Sequence, residues 1–294
     1  MKPIARRTAA VAAVLAAAAL TAPLRPAEAG GPLGPAGREA AAARWKLSWH
    51  DEFDGRKGAR PSGSRWVHDL GGEPRWGNQE WQYYTDRAKN ASLDGRGRLA
   101  VTARRERLPG MAGCLYGTCD ITSARITTRG RFSQAYGRFE ARIKVPAGQG
   151  VWPAFWMMGD DADRVGWPHN GEIDVMEVIG RHPGTVFGGM HGPGFPFSGV
   201  GGRAVLPGGA RFADDFHVFA VEWSPGKVTW LLDGRPYFTA RRSGLQAGSR
   251  WVFDHPFHLL LNVAVGGTWP GPPGARTRFP ATMLVDYVRV YTRR

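Results

Sequence analysis

The residues best placed to do chemistry are three acids in one short run: Glu172, Asp174 and Glu177, within Gly171-Glu-Ile-Asp-Val-Met-Glu-Val178. On a strand, side chains two apart share a face. Glu172 and Asp174 therefore point together, while Ile173 and Val175 point the other way. Glu177 is one residue out of phase. A β-bulge at Val175-Met176 brings it back to the face of the other two, and bulges gather beside active sites. The spacing predicts a row of three acids on one sheet face. A solvated edge strand can carry the same residues. The chain, however, has 39 Lys+Arg against 25 Asp+Glu and a formal charge of +14. Three acids clustered without a basic residue among them repel one another, so the cluster needs a reason.

Upstream, Gly150-Val-Trp-Pro-Ala-Phe-Trp-Met-Met-Gly159 places Trp152 and Trp156 on one strand face, with Phe155 and Met157 on the other. Indole faces beside paired carboxylates suit sugar rings, whose C–H groups pack on π systems while the acids flank the scissile bond. Two carboxyl groups cut a glycosidic bond with retention when roughly 5–5.5 Å apart and with inversion at roughly 6.5–9.5 Å. Backbones four residues apart on a strand are more than about 10 Å apart. Spacing alone leaves the stereochemistry open.

The elements that must position these groups read as strands. Tyr136–Lys144 alternates strictly, with Phe139, Ala141 and Ile143 inward and Arg138, Glu140, Arg142 and Lys144 outward. Val218–Trp223 and Val228–Leu232 flank Ser224-Pro-Gly-Lys227 as a hairpin, and Asp233-Gly234 supplies a further turn. His258–Val265 and Met283–Tyr291 are apolar, β-branched segments. No segment after the first thirty residues keeps a 3.6-residue period for three turns. Many short strands with frequent turns predict an all-β chain, an antiparallel sandwich or barrel.

Residues 1–29 read as a signal peptide: Lys2, Arg6 and Arg7 precede an apolar Thr8–Ala22 run, and Ala27-Glu-Ala29 offers a cleavage site. The expectation is a secreted protein, with no membrane association in the mature form. Residues 30–44 are Gly/Pro/Ala-rich and read as a tether, leaving 45–294 as one domain. The basic residues are scattered rather than gathered in a stripe or a known motif, which argues against a nucleic-acid partner. Cys114 and Cys119, the only two cysteines, are expected to clip a short loop as a disulfide.

The run G-E-I-D-V-M-E resembles the signature of family 16 of the glycoside hydrolases, above all its bacterial laminarinase branch, the endo-β-1,3-glucanases. The likeness extends over Trp45–Arg294 through Asp51-Glu-Phe53, Trp76-Gly-Asn-Gln-Glu80, Thr122-Ser-Ala-Arg-Ile126, Trp152-Pro-Ala-Phe-Trp156, Met190-His-Gly-Pro-Gly194, Leu261–Gly267 and Val285–Tyr291. Each piece is short; their order is specific.

The resemblance implies a jelly-roll β-sandwich of two antiparallel sheets, concanavalin-like, with an open concave cleft. It implies retention, with Glu172 as nucleophile, Glu177 as general acid/base and Asp174 orienting Glu172. Trp152, Trp156, Asn78, His191 and Arg125 match sugar-contacting positions, and Trp269 is a rim platform or packing. No cofactor is implied for the reaction. A structural Ca²⁺ is implied at Glu52, the Gly97 carbonyl and Asp286, oxygen donors of the kind calcium takes. The expected partner is a laminarin-like β-glucan and the expected state a monomer. A mixed-linkage β-1,3-1,4-glucanase and a non-catalytic glucan-binding protein are the alternatives on the same fold.

Overall fold

The computed structural model describes residues 44–73, 75–109, 111 and 120–294. The signal peptide, nearly all of the tether, and Cys114 with Cys119 lie outside the described residues.

Among the described residues, seventeen strands build two sheets. One sheet runs β12 (Val200–Val205), β11 (Thr185–His191), β10 (Glu172–Glu177), β9 (Val151–Gly159), β16 (Phe257–Val265), β7 (Arg125–Thr127) and β2 (Val67–Asp69). The other runs β15 (Arg235–Arg241), β14 (Lys227–Leu232), β13 (His217–Ser224), β8 (Gly137–Lys144), β17 (Ala281–Arg293), β5 (Leu99–Arg105), β6 (Ile121–Ser123) and β3 (Tyr83–Tyr84). In that second sheet β1 (Trp45–Asp51) adds to β17 and β4 (Ala91–Leu93) to β5. Each of these ladders is antiparallel except the short β3–β6 pair. One helical turn, α1 (Ala162–Val165), precedes β10. Among the described residues no helix is long and apolar enough to cross a membrane. The fold is the all-β jelly-roll sandwich.

Period-two patterning explains how the sheets meet. Phe139, Ala141 and Ile143 of β8 are fully buried, facing Phe155 and Met157 of β9 and Leu259, Leu261, Val263 and Val265 of β16 across one core. Glu140 leaves the core as its phase requires, yet it is buried on the outer face, where it accepts from Arg138 Nε at 2.8 Å and the Tyr291 hydroxyl at 3.2 Å. The hairpins fall where the turn residues stand: Ser224 pairs with Lys227, and Asp233 and Gly234 both take positive φ between β14 and β15. Two central positive φ values give the turn twist that a two-residue hairpin needs.

Candidate active site

The row of acids rests on a bulge. Against β9, Glu172 is level with Met158 and Asp174 with Trp156, but Met176 is level with Phe155 and Glu177 with Ala154. Against β11 the ladder also slips between Asp174 and Glu177, so Glu172 faces His191 and Glu177 faces Phe187. The extra residue lets Val175 and Met176 both sink into the core, 1% and 0% exposed, beside Ile173 at 0%. The expected irregularity at Val175-Met176 is present, and Glu172, Asp174 and Glu177 share a face.

Their surroundings differ. Asp174 is buried; its backbone carbonyl accepts from Trp230 Nε1 of the opposite sheet at 2.7 Å, and its Oδ2 lies 3.5 Å from His191 Nε2. Glu172 and Glu177 are half-buried. Each takes an indole N–H: Trp167 Nε1 to Glu172 Oε2 at 2.7 Å, and Trp152 Nε1 to Glu177 Oε1 at 3.0 Å.

Burial raises Asp174 and Glu177, and like charge adds to it. Burial, then the charge of Glu172, pushes Glu177 up to about 8, with the Trp152 N–H pulling the other way. Burial, followed by the charges of Glu172 and Glu177, raises Asp174 well above the usual carboxylate range. A carboxyl that keeps its proton near neutrality is what a general acid requires. Ligating atoms of Glu172, Asp174 and His191 also lie within 4.8 Å of one another.

Aromatic side chains line this face. Trp152 and Trp156 of β9 leave the core together. Trp269 stands edge-on to Trp152, centroids 5.5 Å apart, and edge-on to Phe187 at 5.1 Å, so it joins a cluster at the Glu177 end of the row. His191 and Trp167 sit at the Glu172 end, ring centroids 6.2 Å apart. Asn78 is exposed in a loop whose carbonyl accepts from Thr268 N at 3.0 Å, one residue from Trp269. Arg125 lies deeper: its guanidinium is sandwiched at 4.6 Å between the Trp76 and Trp156 rings and pairs with Asp69 at 3.0 Å. With 13% of its side chain exposed, its geometry is that of a buttress under Trp156. Sequence reading passed over Trp167 and Phe187. Trp167 belongs to a loop without periodicity, and Phe187 becomes significant only through its register with Glu177.

The positions assigned to calcium fit it poorly. The Glu52 carboxylate takes Arg289 at 2.9 and 2.8 Å and His50 Nδ1 at 3.2 Å. The hydrogen bond from Arg289 leads in holding it below its ordinary value. Arg142 takes the Asp286 carboxylate at 2.8 Å. The Glu52 carbonyl does lie beside Gly97, 3.9 Å from where a side chain would begin. Both carboxylates are nonetheless committed to arginine rather than gathered about a cation.

With the site described, its relatives can be placed. The profile of Glycosyl hydrolases family 16 matches residues 75–289. A beta-glucanase of Rhodothermus marinus is 42% identical over 261 residues, 85% of this chain and 86% of that protein. The endo-β-1,3-glucanase of Pyrococcus furiosus superposes with TM-score 0.78 at 44% identity, covering 85% of this chain and 95% of the other. The laminarinase catalytic domain of Thermotoga maritima gives 0.78 at 45% identity, covering 85% and 98%. The bulged row of acids, the aromatic face and the jelly roll that carries them thus agree with what the comparisons find: this chain belongs to family 16 of the glycoside hydrolases.

Proposed function

We propose that the protein is a retaining endo-β-1,3-glucanase that cuts internal bonds of laminarin-like glucans. The observation that carries the reading is the division within the row: Glu177, raised to about 8, shares a face with Glu172. A sugar packed on the indoles exposes its anomeric carbon to Glu172. The Glu172 carboxylate attacks that carbon as Glu177 hands its proton to the departing glycosidic oxygen, leaving a covalent glycosyl-enzyme. Glu177, now ionised and steadied by the Trp152 N–H, takes a proton from water as the water oxygen attacks the same carbon and releases Glu172. Asp174, against Glu172, holds the nucleophile's orientation. His191 and Asn78 contact the sugar, and Arg125 acts beneath Trp156.

The amino-terminal leader supports export, so we place the working enzyme outside the cell, as a monomer whose partner is the glucan and not a nucleic acid or membrane. Reducing-sugar release from laminarin and from barley mixed-linkage glucan, with Glu172→Gln as control, tests the reading. Preference for laminarin, lost in the variant, is expected. Preference for the mixed-linkage glucan would move the assignment to that specificity. No release from either would overturn the glucanase reading in favour of glucan binding alone.

A further inference from the structure

We propose that Glu80, a buried acid outside the catalytic row, positions two sugar-facing residues at once: Asn78 directly, and Trp156 through Tyr84 and Asn262. The proposal rests on the reading of this face as a glucan site. Glu80 is 5% exposed, in a loop gathered by a second buried acid, Glu73, which accepts from the backbone N–H groups of Gly77, Asn78 and Glu80 at 3.1, 3.0 and 3.2 Å. Three donors meet the Glu80 carboxylate: Asn78 Nδ2 on Oε1 at 3.0 Å, and Gln82 Nε2 and the Tyr84 hydroxyl on Oε2 at 2.5 and 3.2 Å. The chain of bonds continues across β16. Asn262 Nδ2 donates to the Tyr84 hydroxyl at 3.2 Å, and Asn262 Oδ1 accepts from Trp156 Nε1 at 2.7 Å.

Bond polarity makes Glu80 the origin of this order. A hydroxyl has one hydrogen. Once Tyr84 gives it to Glu80, only lone pairs face Asn262, so Asn262 must turn its NH₂ to Tyr84 and its carbonyl to the indole. Flipping the amide would set donor against donor at the indole and acceptor against acceptor at Tyr84. Tyr84 and Asn262 are 1% and 7% exposed, so water offers little relief, and an unmet buried polar group is costly. The same logic acts on Asn78: its NH₂ is taken by Glu80, which leaves its carbonyl oxygen for a sugar hydroxyl. Trp156 is thereby held by a hydrogen bond at its edge and by Arg125 on its face. It is level with Asp174 on the next strand, beside the reacting centre. Glu80 acts as a positioning residue.

The test uses Glu80→Gln and Tyr84→Phe in the full chain. The first readout is the Trp156 indole N–H resonance in ¹⁵N-labelled protein, assigned by its loss in Trp156→Phe. It is expected to shift and to exchange faster with solvent in both variants. The second is kinetics on laminarin: KM rises about three- to tenfold, the worth of one hydrogen bond, while kcat changes by less than about twofold. In a Trp156→Phe background, Tyr84→Phe is expected to add nothing further to KM, because the relay has lost its end. An unmoved resonance, or a KM effect that persists undiminished in that background, overturns the proposal. The resonance needs no substrate, so a chain that cuts no glucan sinks the functional reading while leaving the relay to be judged. Should Glu80→Gln fail to fold, Tyr84→Phe removes a single oxygen and carries the same test.

Discussion

Glu177→Gln should make the protein more stable, and more so as the pH rises. In the folded chain burial and the charge of Glu172 hold the Glu177 carboxyl at about 8, against 4.5 for the free group. Between those values the folded protein keeps a proton that the unfolded chain has released. Stability therefore falls as pH climbs, by ~1.4 kcal/mol per pH unit. Across an interval from about pH 5 to pH 8 the full effect is about 4 kcal/mol. Titration shared with Asp174 spreads the step, so about 2 kcal/mol is the part expected from this residue alone. The substituted amide binds no proton and lacks the slope. It also relieves Asp174 of a like charge, which acts in the same direction. At ~2–4 °C per kcal/mol for a domain of this size, the variant should melt about 4–8 °C above the parent near pH 8 and close to it near pH 5. Thermal unfolding of both proteins at the two pH values and equal ionic strength reads this directly. A gap of the same size at both pH values, or a variant that weakens relative to the parent as pH rises, would refute the linkage between burial and protonation in the row.

Trp152→Phe keeps a ring but removes the N–H that favours ionised Glu177; the basic limb of the kcat/KM profile should move up by about one pH unit. A limb that stays in place would deny that hydrogen bond its role. Gly188 of β11 has no room for a side chain, since a Cβ there would run into the Trp230 ring and the Tyr237 hydroxyl. Gly188→Ala should cost about 1–3 kcal/mol in urea unfolding, and an unchanged midpoint would show that β11 can move aside. With Glu52 and Asp286 held by arginine, chelation should leave the melting temperature unchanged; a fall of several degrees would restore calcium to this face.

Much of the site was legible because it is written locally. The phase error at Glu177, the shared face of Trp152 and Trp156, and the alternation through Phe139, Ala141 and Ile143 are all properties of a few consecutive residues, and strand geometry converts each into a direction. What escaped depends on loops and on tertiary placement. The Trp167 indole reaches Glu172 from a loop. Phe187 counts only because β11 sets it level with Glu177. Arg125 reads as a sugar contact until β7 brings it under Trp156, and Glu52 and Asp286 read as open oxygens until Arg289 and Arg142 arrive. Side chains that depend on which strands become neighbours carry no periodic trace.

The bulge in β10 implies something about how the enzyme comes to exist. Along β10 the outer acids are five residues apart, but both neighbouring strands count four across the same span, from Met158 to Ala154 and from His191 to Phe187. The separation of Glu172 and Glu177 is thus measured by β9 and β11, not by the segment that bears them. Before those two partners have docked, an evenly pleated β10 would turn Glu177 inward and leave two acids on the face instead of three. Turnover is then a report on assembly: it begins only when three successive strands have agreed on a common count.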